Sequence, residues 1–335
     1  MMKKQGYTIT FDDPPRVLSY ASAVGKKEGS GPLADAFDFI SDDDTFGERT
    51  WEKSESRMMS IAFEKALQKG NLPMSQLGCV MGGDLLNQCI GTTFGLRPSG
   101  VPFLGLYGAC STMAEGLLLA SCMIDGGFEP TACAITSSHF CAAERQYRYP
   151  LEYGGQRPQT AQWTATASGA VVLQKGGSGI KITKATPGRI FDPGVTAAAN
   201  MGAAMAQSAY ETLSAFFTDT KTGPCDYDLI VTGDLGRVGH QIVIELFQKD
   251  GIDMKPTYDD CGLMLYDGTQ DVHSGGSGCG CSAAVLCSYL LGSLEKKILK
   301  KVLFCGTGAL LSPTSTNQGE SIPGICHLVC LEADL

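Results

Sequence analysis

The segment Gly108-Ala-Cys-Ser-Thr112 carries the residue types and the position that could do chemistry. It follows an apolar run, Val101 to Ala109, and opens a helical pattern through Met113, Leu117, Leu118 and Met123. A cysteine at a helix mouth feels the positive end of the helix dipole and nearby unpaired amides, which favour a thiolate. Strand, turn and helix in that order are also the setting of nucleophile elbows. Cys110, with the Ser111 and Thr112 amides beside it, is therefore the centre of a candidate ligand pocket.

Other candidates stand where strands end, the place ligands collect in open α/β sheets. Ser137-Ser138-His139 closes one strand; the histidine either serves a site or is satisfied by loop backbone. Gly83-Asp84 and Gly233-Asp234 close two others, and each aspartate takes either a loop amide or a cation. His273 precedes the turn Ser274-Gly-Gly-Ser-Gly278, which either holds an anion on its amides or lets two segments pack closely. Arg145, Arg148, Arg157 and Arg189 lie on or beside the segment after Phe140, and the arginine fork suits carboxylates.

The elements that must position these groups alternate between short apolar runs and longer helical patterns, which marks an α/β fold. Trp51 to Lys69 reads as a surface helix, Leu77 to Asp84 as a strand with its turn, and Val101 to Ala109 as a buried strand. Ser111 to Asp125 reads as a helix, with Ala132 to Ser137 and Gly169 to Leu173 as strands. The same grammar returns: helix Ala203 to Phe217, strand Asp228 to Asp234, an apolar helix to Leu294, then strands Lys301 to Cys305 and His327 to Leu331. That repetition predicts two duplicated α/β halves, 1–177 and 178–335, joined near the Gly-Gly-Ser-Gly turn at 176–179. His240 and His327 read as surface and strand residues.

With 335 residues, 43% hydrophobic and 18% charged, the chain can bury a sizeable core. Its net charge is −9 and no basic stripe or lysine–arginine run stands out, so nucleic acid is not an expected partner. The N-terminal ten residues have no apolar stretch behind Lys3 and Lys4, which speaks against a signal peptide. The apolar runs reach about half the ~20 residues a spanning helix needs, so any membrane role is peripheral. The 14 cysteines include no Cys-x-x-Cys pair and sit in apolar segments, as reduced core thiols do. Neither a metal site nor a cofactor is expected.

At these residues the chain resembles the thiolase superfamily, which includes thiolases and ketoacyl synthases. Gly108-Ala-Cys-Ser111 matches its nucleophile elbow and His273 its second-half histidine segment. Cys305-Gly-Thr-Gly308 matches its second-cysteine turn, and Thr166 to Leu173 the strand closing the first half. The resemblance implies a thiolase-like fold of two halves in five layers, αβαβα, dimeric through first-half edge strands. It also implies an alternative activity: acyl transfer with Cys110 as nucleophile, His273 as base and Cys305 as proton donor. Against that activity, Gly233-Asp234-Leu235-Gly236 replaces the segment that supplies oxyanion donors, and Ser274 follows His273 where the superfamily has proline.

A narrower resemblance, to the stage V sporulation protein AD family, spans nearly the whole chain. It rests on Gly82 to Asn87, Gly108 to Thr112, Asp125 to Phe128, Thr136 to His139, Ala143 to Pro150, Glu152 to Gly155, Asp260 to Met264 and Gly306 to Pro313. It implies non-catalytic binding of dipicolinic acid (pyridine-2,6-dicarboxylate), free or as its calcium chelate. It further implies service to membrane channel proteins at the spore inner membrane, in spore formation and germination. One ligand carboxylate is expected on the Ser111 and Thr112 amides and the other towards Ser138, His139 and Arg145, with Ser137, Asp234 and His273 nearby.

Overall fold

The computed structural model describes residues 2–147 and 156–334, so Arg148 and the stretch Glu152 to Gly155 lie outside the described residues. The first half runs β1 (Arg16–Val24), α1 (Trp51–Lys69), β2 (Cys79–Gly83), α2 (Ile90–Leu96), β3 (Phe103–Gly105), α3 (Thr112–Asp125), β4 (Thr131–Ser138), α4 (Phe140–Tyr147) and β5 (Ala167–Gln174). The second half repeats the order. It runs β6 (Lys181–Thr186), α5 (Met201–Thr220), β7 (Leu229–Thr232), α6 (Gly236–Lys249), β8 (Tyr258–Asp260), α7 (Cys279–Val285), α8 (Leu291–Glu295), β9 (Lys301–Ala309), α9 (Pro313–Asn317) and β10 (Gly324–Glu332). A π-helical turn, Leu286–Leu290, joins α7 to α8 into one apolar rod.

Hydrogen bonding follows one path, β8-β7-β9-β10-β6-β1-β5-β4-β2-β3. β6 meets β1 only where Lys181 lies opposite Arg16, so the path is two sheets of five strands joined at one seam. In each, the outer strands are parallel (β2 with β3 and β4, β7 with β8 and β9). The inner ones are antiparallel (β5 with β4 and β1, β10 with β9 and β6).

Helix patterns explain the layering. α1 is capped by Thr50, whose side chain accepts from the Lys53 amide, and it buries Met58, Met59, Ala62, Phe63, Ala66 and Leu67. That spacing gives one apolar stripe, so α1 covers the outside of the first sheet. α3 buries Met113, Ala114, Leu117, Leu118, Ala120 and Ile124, and every residue of α7 is buried. Helices apolar all round belong between two sheets, and α3 packs against strands of both halves. α5 and α6 cover the outside of the second sheet.

Among the elements named from the sequence, one differs, and α6 was not among them. Val101 to Ala109 is not a buried strand: only Phe103–Gly105 pairs, at the sheet edge, and Leu104 is 47% exposed. An apolar run alone does not separate a central strand from an edge one.

Candidate ligand-binding site

Cys110 is held by a sharp bend. Ala109 has a left-handed backbone, φ 52°, and the turn Ala109–Ser111 then feeds α3. β9 comes close on the other side, and a Cβ on Gly306 would lie 2.6 Å from that of Ala114. One on Gly308 would lie 2.7 Å from the Gly108 carbonyl oxygen. These two glycines are what let the second half reach the elbow.

Asp234 closes the arrangement. Its carboxylate accepts from the Gly278 amide at 2.9 Å, the Ser277 hydroxyl at 3.1 Å and the Thr307 hydroxyl at 2.9 Å. Its backbone oxygen accepts from Gln162 Nε2 at 2.6 Å. Of the two partners foreseen for this aspartate, the loop amide is the one observed. The glycine-rich turn before α7 does hold an anion, and it is the protein's own.

The carboxylate also faces the Cys110 thiol, and this reverses the ionisation expected at the helix mouth. Burial, then the charge of Asp234, push the Cys110 thiol well above its ordinary range, outweighing the amide of Gly278. Burial raises Asp234 itself to about 6. A helix dipole amounts to about half a charge, and here it meets desolvation and a full carboxylate. Cys110 is a protonated thiol.

The cavity at Cys110 is narrow, about 60 Å³. Leu85, Ala109, Ala143, Ala198, Met201, Ala309 and Leu311 form its apolar walls; Cys110, Thr164, Ser277, Tyr147 and Glu144 supply polar atoms. No lysine, arginine or histidine is among its described lining residues.

Most other foreseen residues do not join it. The Ser111 and Thr112 amides donate to Gly108 and Ala109 carbonyls within the turn, so neither is open to a carboxylate. Both hydroxyls bond the same carbonyls. Ser137 donates to Glu55 at 3.0 Å and Ser138 to the Ala165 carbonyl at 2.7 Å. His139 is buried and stacked on Trp51, its Nε2 2.7 Å from the Asp44 carbonyl oxygen. Burial lowers its pKa, so the ring is neutral; its Nε2 meets loop backbone, while its buried Nδ1 has no hydrogen-bond partner among the described residues. Arg145 turns away to pair with Glu52, held by its Nε at 3.0 Å. Arg157 lies over Trp163, and Arg189 over Tyr7 and Phe191.

His273 is also elsewhere. Its Nδ1 meets the Pro158 carbonyl at 2.9 Å and its Nε2 meets Asp271 at 3.2 Å, in a separate cavity of about 300 Å³ with Arg237 and Tyr266. Cys305 is buried in β9. Thus the nucleophile–base pairing of Cys110 with His273 is not assembled. His327 is buried in β10 and accepts from the Gly188 amide; His240 stacks on Tyr258 rather than standing free on the surface.

The pocket residues that chemistry-led reading overlooked are mostly apolar. Leu85, Ala143, Glu144, Tyr147, Ala309 and Leu311 fall inside stretches that carried the narrower family resemblance, so that signal could have found them. Ala198 and Met201 carried none.

A pair of duplicated halves with a cysteine elbow between them defines a thiolase-like fold, and solved structures agree. An OleA variant of Xanthomonas campestris superposes with a TM-score of 0.61 at 14% identity, covering 96% of this chain and 99% of that one. 3-Oxoacyl-(acyl-carrier-protein) synthase III of Aquifex aeolicus gives 0.54 at 12%, covering 94% and 99%. AbyA1, a tetronic acid condensing enzyme, gives 0.55 at 17%, covering 95% and 99%. Within that fold, residues 5–332 match the family model of stage V sporulation protein AD. The chain belongs to that family. It is 45% identical over 325 residues, 97% of this chain and 96% of the other, to stage V sporulation protein AD of Bacillus subtilis (strain 168). Family membership gives it a role in sporulation.

Proposed function

We propose that this chain binds dipicolinate at the Cys110 pocket without chemical turnover, and so serves the channel proteins that carry it across the spore inner membrane. The observation that carries the non-catalytic reading is Asp234 facing Cys110. A condensing enzyme needs hydrogen-bond donors where negative charge develops on a thioester oxygen, worth ~2.7–4 kcal/mol for a single donor. A carboxylate there repels that charge, and it also keeps the thiol protonated.

Family membership supports the ligand, and the cavity supports its form. A flat ring suits a narrow slot walled by Leu85, Met201 and Leu311. Two ligand carboxylates placed near Asp234 would add like charge in a dry site. The neutral calcium chelate removes that repulsion, so the chelate is the species bound. Calorimetric titration of the full chain should show saturable binding of dipicolinate with equimolar calcium and weaker binding without it. No heat in either condition would overturn the reading.

The condensing-enzyme neighbours keep one second reading in view, acyl transfer through Cys110. Incubation with acyl-coenzyme A should leave the intact mass of the chain unchanged; a stoichiometric adduct that turns over with an acceptor would establish the enzyme.

The chain also acts as a homodimer through the β3 edge. That edge is apolar, with Phe94 53% and Tyr107 54% exposed beside Leu104. The matching β8 edge carries Asp259, whereas Asp260 is buried and accepts from the Thr232 hydroxyl. Edges without charge invite pairing, and a second copy is the partner a two-fold interface provides.

A further inference from the structure

The end of the molecule opposite the pocket carries two matching turns. α3 ends with Gly127 left-handed at φ 74°, and the Phe128 amide reaches back to the Met123 carbonyl. α8 ends with Lys297 left-handed at φ 57°, and the Ile298 amide reaches back to the Ser293 carbonyl. Both are Schellman turns, in which the residue after the left-handed one usually packs back on its helix. Here both such residues project: Phe128 is 74% exposed and Ile298 69%. Each turn leads directly into a strand, β4 or β9, that runs to the site. Ala309 at the end of β9 lines the pocket, and Lys301 at its start is roughly 26 Å away at the usual rise per residue.

Charge distinguishes this end from the rest of an acidic chain. Glu295 to Lys301 holds four lysines against one glutamate, a short basic run that corrects the sequence reading, in which none stood out. Lys296, Lys297 and Lys300 are exposed, and their side chains have no partner among the described residues. The carboxylates beside these lysines are engaged within the fold, while Asp125 and Glu129 flank Phe128. Glu295 accepts from Tyr20 at 2.7 Å, and Asp228 accepts from the Lys300 and Lys301 amides at 2.7 and 2.9 Å. Asp334 takes Arg16 and the Gly179 amide. Beside the α8 turn opens a groove of about 430 Å³, with Val17, Leu18, Ile180 and Leu294 in its wall and Lys297 at its rim.

We infer that this end is a membrane-contact face. Phe128 and Ile298 enter the interfacial zone of a bilayer, and Lys296, Lys297 and Lys300 meet anionic phospholipid headgroups. Free ammonium groups beside the protruding Ile298, with Phe128 projecting from the matching turn, suit a surface that is anionic outside and apolar beneath, where each basic residue adds attraction. The described residues include no helix long and apolar enough to cross a membrane, so contact at the surface is the mode this face supports. The inference is independent of what the Cys110 pocket binds. It places the chain on lipid directly, rather than through channel proteins alone.

Flotation of the full chain with vesicles tests it. Binding is expected to vesicles with about a third phosphatidylglycerol in phosphatidylcholine, and not to pure phosphatidylcholine. It should weaken steeply as salt rises past physiological strength. Lys296→Gln/Lys297→Gln/Lys300→Gln, and separately Phe128→Ser/Ile298→Ser, should each weaken binding at least tenfold while thermal melting stays unchanged. These side chains are exposed, so folding is not at risk. Cys110→Leu should float like the parent, which separates this result from any failure of ligand binding. Absence of flotation with anionic vesicles, or flotation unchanged in both surface variants, would overturn the inference. The first outcome would point to an acidic protein as the occupant of this face.

Discussion

The two halves end their second strands alike, Gly83-Asp84 after β2 and Gly233-Asp234 after β7, yet the two aspartates do different work. Asp84 folds back on its own half. It accepts from the Leu86 amide at 2.9 Å and from the amide and hydroxyl of Thr92 at 2.7 and 2.6 Å, tying the turn to α2. Glu55 stands beside it, and burial together with the Asp84 charge pushes the Glu55 carboxyl well above its ordinary range. Asp234 instead spans elements, holding the start of α7 and β9 while facing Cys110 of the other half. Duplication supplied one residue type at one place twice. What lies opposite decides whether it braces a turn or shapes a pocket.

The comparison can be broken most forcefully at Asp84. Asp84→Ala strips three buried donors of their acceptor and should lower unfolding free energy by about 2–4 kcal/mol in urea titrations. Ligand binding per folded chain should not change. A variant as stable as the parent would show that the turn does not need its carboxylate.

Asp234 should show itself through pH. Its folded-state pKa is raised from 3.8 to about 6, so the folded chain binds the extra proton. The stabilisation is fully present below pH 3.8 and is lost as pH rises through 6. Asp234→Asn lacks this titration. The stability gap between variant and parent should therefore shift in the variant's favour by about 2.4 kcal/mol between pH 4 and 7.5. A gap constant with pH would contradict the assignment.

A smaller effect sharpens the same contrast at the thiol. Removing the Asp234 charge should let Cys110 ionise more readily. Asp234→Asn should raise its alkylation rate by iodoacetamide at pH 8 about fivefold, with Asp84→Asn unchanged. Equal rates in all three proteins would mean that Asp234 does not govern the thiol. Smallest of all, Arg145→Ala should leave dipicolinate affinity untouched, because its half-exposed pair with Glu52 lies outside the pocket.

Local patterns were legible in the sequence, and what depended on distant chain returning was not. The bounds of α1, the repeat of elements across the halves and the elbow at Cys110 follow from apolar spacing and turn residues nearby. α6 was missed because glycines at 236 and 239 break the look of a helix, although they only permit close approach to Gly202 and Ser274. Arg145 looked available for a ligand until Glu52, 93 residues away, was seen to take it. His139 was settled by Asp44 and Trp51, from the loop before α1 and the start of that helix. The ionisation of Cys110 reads one way from its helix and the other way once Asp234 is opposite.

The most direct test of the account fills the slot at its floor. Calorimetry with the dipicolinate–calcium chelate should give one site per chain in the parent and in Cys110→Ala, since the proposed binding needs no reaction at the thiol. In Cys110→Leu the added bulk enters a cavity of about 60 Å³, and binding should fall by at least a hundredfold with thermal melting unchanged. If Cys110→Leu binds the chelate as the parent does, or if the parent gives no heat, dipicolinate does not occupy this pocket.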